Sequence, residues 1–312
     1  MPLAPAPGVV FHVQAGTLIG MGHLARARAV MRALQNMGHD CALHLDADAQ
    51  GAAKALYWKL TPIASLPATP SALVIDAITL KRQQAEALRH FAPRILISPV
   101  CNRADIASHA LLRAAPTALR AQLADEAVLQ IRKDYAFATA HGLQPRVLDF
   151  AQLEIGLCLS GGEDSLEPGI VTAMLAALVQ VTGVRVIDPR RPAVVDIPMQ
   201  HVLAAERPWD FLDGINVFIG GDGVMLAEAI AQGLPTISLS TPGGNAKNVA
   251  LVESGALRMI ARDARMSSEL AAVLSDRAAL EAMHRAALTL GGAARATRLA
   301  QDIRTILKEN IR

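Results

Sequence analysis

Two periodicities alternate along the chain. Short, mostly apolar runs at residues 9–15, 41–47, 72–76 and 94–100 read as buried strands, all but 41–47 carrying β-branched residues. Between them, residues 23–37 and 80–91 place apolar side chains every three to four positions, the spacing of an amphipathic helix. The rhythm restarts after about residue 148. Strands are expected at 155–159, 184–187, 200–203, 217–219 and 236–239, and helices at 169–181, 224–232 and 247–254. Strand–helix alternation of this kind builds parallel sheets. The interruption in HGLQPRVLDFAQ, residues 141–152, with its proline and mixed polarity, divides two such sheets. The expected organisation is therefore an α/β chain of two Rossmann-like domains, residues 1–148 and 149–312. From residue 267 onward the pattern is almost wholly helical, and a last helix near 294–309 could pack back on the first domain.

Composition narrows the chemistry. With 312 residues, 52% hydrophobic and 3% aromatic, the cores must be built from Ala, Val, Leu and Ile. A net charge of +2 with acids and bases interspersed leaves no basic face for nucleic acid, so small-molecule partners are the default. Cys41, Cys101 and Cys158 are too widely spaced for a CxxC pair or a disulfide framework, which suits a reducing cytoplasm. No run of about 18 uncharged apolar residues would cross a bilayer, although peripheral contact stays compatible with the sequence.

Parallel sheets bind ligands beyond the carboxyl ends of their strands, so the loops after the strands carry the information. In IGMGHLAR, residues 19–26, Gly20 and Gly22, with Gly16 before them, permit tight turns, and His23 opens a helix. The positive end of a helix favours the neutral imidazole that a general base needs. The plainer alternative makes His23 a cap and the glycines mere turn-formers. The other histidines read as structural. LSGGEDS, residues 159–165, offers Gly161 and Gly162 as backbone donors to a phosphate. FIGGDGVMLAEAIAQGLPTISLSTPGGNAKN, residues 218–248, is more specific. A glycine-rich turn precedes a helix bearing Glu228, and a strand then ends in a polar loop. Amides for a diphosphate, a carboxylate for ribose hydroxyls and a sugar-reading loop would lie on one side of a sheet. Glu228 on a solvated helix face is the competing reading.

The segment GGDGVMLAEAIAQGLPTISLS with NAKNVALVESGA resembles the donor-binding half of GT-B glycosyltransferases, in particular the peptidoglycan N-acetylglucosaminyltransferase. IGMGHLAR resembles the GxGHxxR segment of a narrower group, the UDP-sugar hydrolase of pseudaminic acid biosynthesis and related spore-coat polysaccharide proteins. VIDA (74–77), Asn102 and Arg103 in VCNRAD, KDYAFA (133–138), LSGGED and LGGAARATRLA (290–300) follow in the same order over nearly the whole chain. The resemblance implies the GT-B fold, two Rossmann-like domains facing each other across a cleft. It implies that His23 deprotonates the attacking oxygen, with Arg26 orienting that loop or meeting an anion; a surface arginine pairing with a nearby acid is the competing reading of Arg26. Gly20 and Gly22 would admit the donor phosphates, as would Gly161 and Gly162. Gly221, Asp222 and Gly223 would lie near the diphosphate and Glu228 would hold the ribose. Asn245, Lys247 and Asn248 would face the donor sugar or phosphates, Lys247 neutralising the departing UDP. No metal and no other cofactor is implied, because DAD at residues 46–48 reads as a helix N-cap region rather than a cation site.

The chain departs from the hydrolase pattern at VQAGTL (13–18), where that group has a charged, Asp- and Ser-containing approach. At Asp76–Ala77–Ile78 the hydrolases carry an Asp-His-Tyr cluster, and Ser98–Pro99 replaces an acidic pair. These changes favour transfer of a sugar from a nucleotide-sugar, UDP-linked by resemblance, to a glycan, lipid or protein hydroxyl. Hydrolysis of the same donor, or a catalytically weak nucleotide-sugar binder, are the alternatives.

Overall fold

The computed structural model describes residues 8–140, 142–159, 166–187, 197–202, 208–240, 246–293 and 296–310. The chain divides into two compact units, residues 1–141 with 295–312 and residues 142–294.

The first unit runs β1 (Val9–Ala15), α1 (Gly22–Asn36), β2 (Cys41–Ala47), α2 (Ala49–Tyr57), β3 (Ala72–Asp76), α3 (Arg82–Leu88), β4 (Arg94–Leu96), β5 (His109–Leu112), α4 (Thr117–Arg120) and β6 (Val128–Ile131), then a 3₁₀ helix at Lys133–Phe137. Its sheet has the order β2-β1-β3-β4-β5-β6, with every pair parallel. The order reverses between β1 and β3, which makes the ends of those two strands the switch point where such sheets bind ligands.

The second unit runs β7 (Leu153–Cys158), α5 (Pro168–Ala176), β8 (Val181–Ile187), β9 (Met199–Val202), α6 (Pro208–Leu212), β10 (Val217–Gly220), α7 (Met225–Ala231), β11 (Thr236–Ser240), α8 (Val249–Glu253), β12 (Leu257–Ala261), α9 (Met266–Ser275) and α10 (Arg277–Ala293). The strand order β12-β11-β10-β7-β8-β9 is the doubly wound dinucleotide-fold order, and its switch point lies between β7 and β10. The strands that precede the two glycine-rich stretches in sequence, β7 and β10, are therefore adjacent.

The final helix, α11 (Arg298–Glu309), belongs to the first unit. Leu299, Ala300, Ile303, Ile306 and Leu307 form its buried stripe, packed into one core with Leu24, Ala27, Val30, Met31 and Leu34 of α1. Tyr135 Oη donates to Asp302 Oδ2 at 2.8 Å and ties α11 to the 3₁₀ helix. In the second unit, α10 lies against α7. Gly291 permits that approach, since a Cβ there would stand 2.9 Å from the Ile230 carbonyl oxygen.

Five segments differ from the periodicity reading. The helix expected at 169–181 ends at Ala176, because Leu178 and Val181 close a turn and Val181 begins β8. The strand expected at 94–100 stops at Leu96; Pro99, without an N–H, cannot extend a ladder. The four-residue strands β5 and β6 and the edge strand β12 are too short or too exposed to show a clear period. Among the described residues, no helix is long and apolar enough to cross a membrane.

Two histidines that read as isolated are partners. In register on β1 and β2, His12 and His44 stack with ring centroids 5.1 Å apart, and their Nδ1 atoms lie 2.8 Å apart. One nitrogen must donate and the other accept, so full protonation would set two donors against each other. Burial first, then the His44 charge, lower the His12 pKa to about 4, with Asp46 opposing weakly. Because the folded pKa lies below the unfolded value of 6.5, the native state holds its full stability above pH 6.5 and loses it as pH falls toward 4. The loss expected from His12 is about 3 kcal/mol. Calorimetric melting at pH 7.5 and 4.5 checks this: His12→Gln should narrow the difference in Tm between the two, and an unchanged difference would refute it.

Candidate functional site

The residues 16–22 that follow β1 are shaped by backbone demands. Gly16 and Gly20 pair as an isolated antiparallel bridge, with the Gly20 amide donating to the Gly16 carbonyl at 2.7 Å. Gly20 adopts φ +83°, a conformation costly for any residue with a Cβ. A Cβ on Gly16 would stand 2.8 Å from the Asp48 carboxyl group. Asp48 accepts from the amides of Thr17 (2.7 Å) and Gly51 (2.8 Å) and caps α2. Asp46 accepts from Gln14 Nε2 (3.1 Å) and Gln84 Nε2 (3.0 Å). Both carboxylates of the DAD segment thus serve local amides, and among the described residues no group of three or more His, Cys, Asp or Glu is gathered as a metal site.

The loop delivers α1 with Gly22 as its first residue and His23 as its second. Met21 occupies the N-cap position without a side-chain bond, so His23 is not a cap. Its ring turns instead to the end of β3. His23 Nδ1 lies 2.6 Å from Asp76 Oδ1, while Arg26, one turn along α1, donates from Nε to Asp76 Oδ2 at 2.8 Å and from Nη2 to Oδ1 at 2.5 Å. Asp76 is fully buried, Arg26 is 7% exposed and His23 is 9% exposed. Arg26 is therefore no surface arginine. Burial alone would raise the Asp76 pKa and is the largest single influence. The Arg26 and His23 charges and their hydrogen bonds together outweigh it and hold the carboxyl at about 2. An ionised Asp76 requires the proton on His23 Nδ1, since an unprotonated nitrogen 2.6 Å from a carboxylate oxygen would be repelled. The Arg26 Nη2 contact with Nδ1 at 3.2 Å is then a close approach of two donors. In the neutral imidazole this places the lone pair on Nε2, the tautomer a base requires.

Asn102 and Arg103 stand apart from this cluster. Asn102 Oδ1 accepts from the Leu80 amide at 2.8 Å and its own amide donates to the Ile78 carbonyl, so it fixes the loop after β3. Arg103 pairs with Asp105 at 2.9 Å, a half-buried local ion pair.

In the second unit, the turn after β10 divides its roles. The Gly221 amide donates to the Cys158 carbonyl at 3.0 Å and is committed to the sheet rather than to a ligand. Asp222 Oδ1 accepts from the hydroxyl of buried Ser238 on β11 at 2.8 Å, which anchors the turn. Gly223 has no described atom within 4 Å of where a Cβ would sit, so protein packing does not demand glycine there. Close approach of a ligand would. Glu228 is 2% exposed, inside a helix where Leu226, Ala227, Ala229, Ile230 and Ala231 are buried too, so it does not stand on a solvated face. Lys247 is half-buried on the 3₁₀ helix Ala246–Asn248, and Asn248 is buried at the start of α8. Gly161, Gly162 and Asn245 lie outside the described residues.

Asp76 is the residue that sequence reasoning underrated. It stood out as a remnant of a lost cluster, whereas it is the group that organises His23 and Arg26.

No protein-family model matches the chain, and no curated protein matches it in sequence. Among solved structures, the fold is similar to that of MurG from Acinetobacter baumannii (14% identity, TM-score 0.61, covering 97% of this chain and 100% of that one). It is similar to the glycosyltransferase of kitacinnamycin (15%, TM-score 0.60, 97% and 100%). MnaA of S. aureus in its co-structure with UDP also shares it (10%, TM-score 0.68, 97% and 96%). The chain has the GT-B fold, built of two Rossmann-like units.

Proposed function

We propose that this chain is a GT-B glycosyltransferase that moves a sugar from a nucleotide-sugar, UDP-linked by preference, to a hydroxyl acceptor with inversion at the anomeric carbon. The observation that carries the reading is the buried Asp76–His23–Arg26 cluster at the β1/β3 switch point, an arrangement that leaves one imidazole nitrogen basic. His23 Nε2 takes the acceptor's hydroxyl proton as its oxygen bonds to the anomeric carbon, and the bond from that carbon to the diphosphate breaks. Asp76 stabilises the imidazolium that forms, and Arg26 keeps Asp76 ionised. The leaving nucleotide carries away the electron pair, its charge met by Lys247 and by the loops that Gly161, Gly162, Gly221, Asp222 and Gly223 line. Gly20 and Gly22 give the backbone room beside the donor phosphates. Asn245 and Asn248 face the sugar or its phosphates, and Glu228 holds the ribose. In this reading residues 149–294 bind the donor and the first unit serves the acceptor. Supporting it are the doubly wound strand order of the second unit and the fold shared with MurG and with a UDP-bound structure.

Product analysis with a panel of UDP- and CMP-sugars, with and without glycan, lipid and peptide acceptors, tests the proposal. A glycosylated acceptor is expected. Free sugar alone would make the chain a hydrolase of the same donor, and no turnover would make it a binder. Glu228→Gln keeps the shape of a buried side chain while removing its charge, and should weaken UDP binding by about 1–3 kcal/mol. Unchanged affinity by titration calorimetry would remove Glu228 from the donor site.

A further inference from the structure

A second concavity lies in the first unit, along the C-terminal half of α1. Its volume is about 400 Å³, within the roughly 300–1,000 Å³ of small-molecule sites, and β2, the edge strand of the sheet, forms one wall. Arg28 and Arg32 enter it from α1 and Lys59 from the end of α2, while Trp58, Met31 and Leu60 supply apolar surface. None of its described lining residues is acidic.

Three features distinguish this cavity from an ordinary surface groove. The Trp58 indole is 9% exposed, and its Nε1 donor has no hydrogen-bond partner among the described residues. Such an orphan donor is costly and calls for an acceptor. Positive charge is crowded there: the Arg28 guanidinium lies 5.2 Å from the Trp58 ring centroid and Lys54 Nζ lies 4.8 Å from it. Burial and the Arg28 charge lower the Lys54 pKa. Lys59 takes φ +57°, the left-handed conformation that ends a helix most cheaply with glycine. A lysine held there places its charge at the cavity at the expense of backbone comfort.

We propose that this cavity binds a phosphate-bearing small molecule, its phosphate facing Arg28, Arg32 and Lys59 and its apolar part on Trp58. The site is separate from the His23 cluster, since Arg32 lies nine residues along α1, roughly 13 Å of helix rise. It does not depend on the activity proposed above.

The test uses the full chain labelled at its two tryptophans, Trp58 and Trp209, with the Trp58 indole N–H signal assigned through Trp58→Phe. Phenyl phosphate at up to about 10 mM should move the Trp58 signal, well above a millimolar dissociation constant. Arg32→Gln and Lys59→Gly should each weaken binding about tenfold, the worth of one charge-assisted hydrogen bond. Lys59→Gly should do so with Tm unchanged or raised, an outcome a purely structural lysine would not give. Sedimentation with phosphatidylglycerol vesicles distinguishes the source. Binding to vesicles and not to phenyl phosphate, lost in both variants, supports the same phosphate chemistry on a lipid headgroup. Equal response to inorganic phosphate overturns the apolar half of the proposal. A motionless Trp58 signal and no sedimentation, or variants that bind as tightly as the parent, overturns all of it.

Discussion

Replacing His23 by alanine is expected to lower turnover by about 10²- to 10⁴-fold, the usual contribution of a positioned base. Melting temperature should change little. Arg26 keeps both of its bonds to Asp76, so no charge is stranded, and among the described residues the side chain removed is hydrogen-bonded through Nδ1 to that carboxylate alone. UDP affinity should also stay near that of the parent, because the side chains proposed to hold the nucleotide belong to the other unit and Gly20 and Gly22 would contribute backbone alone. Melting, UDP titration and sugar-release rate on the one variant separate the possibilities. Normal turnover would take His23 out of the mechanism, and an early melt would make it a structural residue.

Asp76→Asn should strike harder at the fold. It leaves the Arg26 guanidinium buried without a counter-charge, and breaking one side of a buried pair costs about 3–5 kcal/mol. For a unit of this size that corresponds to a fall in Tm of roughly 10 °C. Arg26→Met combined with Asp76→Asn should recover most of the loss, since neither charge then remains. The double variant should stay catalytically impaired: the amide no longer fixes the Nδ1–H tautomer of His23, so stability returns without turnover. Additive losses of Tm in the double variant would show that the two side chains do not form the pair described.

How far the sequence reaches is visible residue by residue. β1, β2 and β3 follow from their mostly apolar runs, with bounds that coincide with the structure. His23 was conspicuous because three glycines and a helix start are written around it. Its dependence on Asp76 was not, since 53 positions separate them and only the parallel pairing of β1 with β3 brings them together. Arg26 and Glu228 show a different failure. Both were weighed as solvated charges, yet the neighbours of Glu228 are small or apolar on every side, the signature of a helix buried all round. Arg26 likewise stands beside the buried stripe of Leu24, Ala27, Val30 and Leu34. Charge overruled pattern in the reading of both. His12 and His44 lie 32 residues apart, and their adjacency is a matter of strand register that no single segment encodes.

The placement of α11 bears on how the protein comes into being. Residues 142–294 form a contiguous stretch that can condense as soon as it leaves the ribosome, whereas the core beneath α1 lacks Leu299, Ile303 and Leu307 until the last helix is made. The unit whose strands are synthesised first is thus the one completed last. During translation α1 presents an uncovered apolar flank for the time needed to add more than a hundred residues, a window in which a chaperone would find its natural substrate.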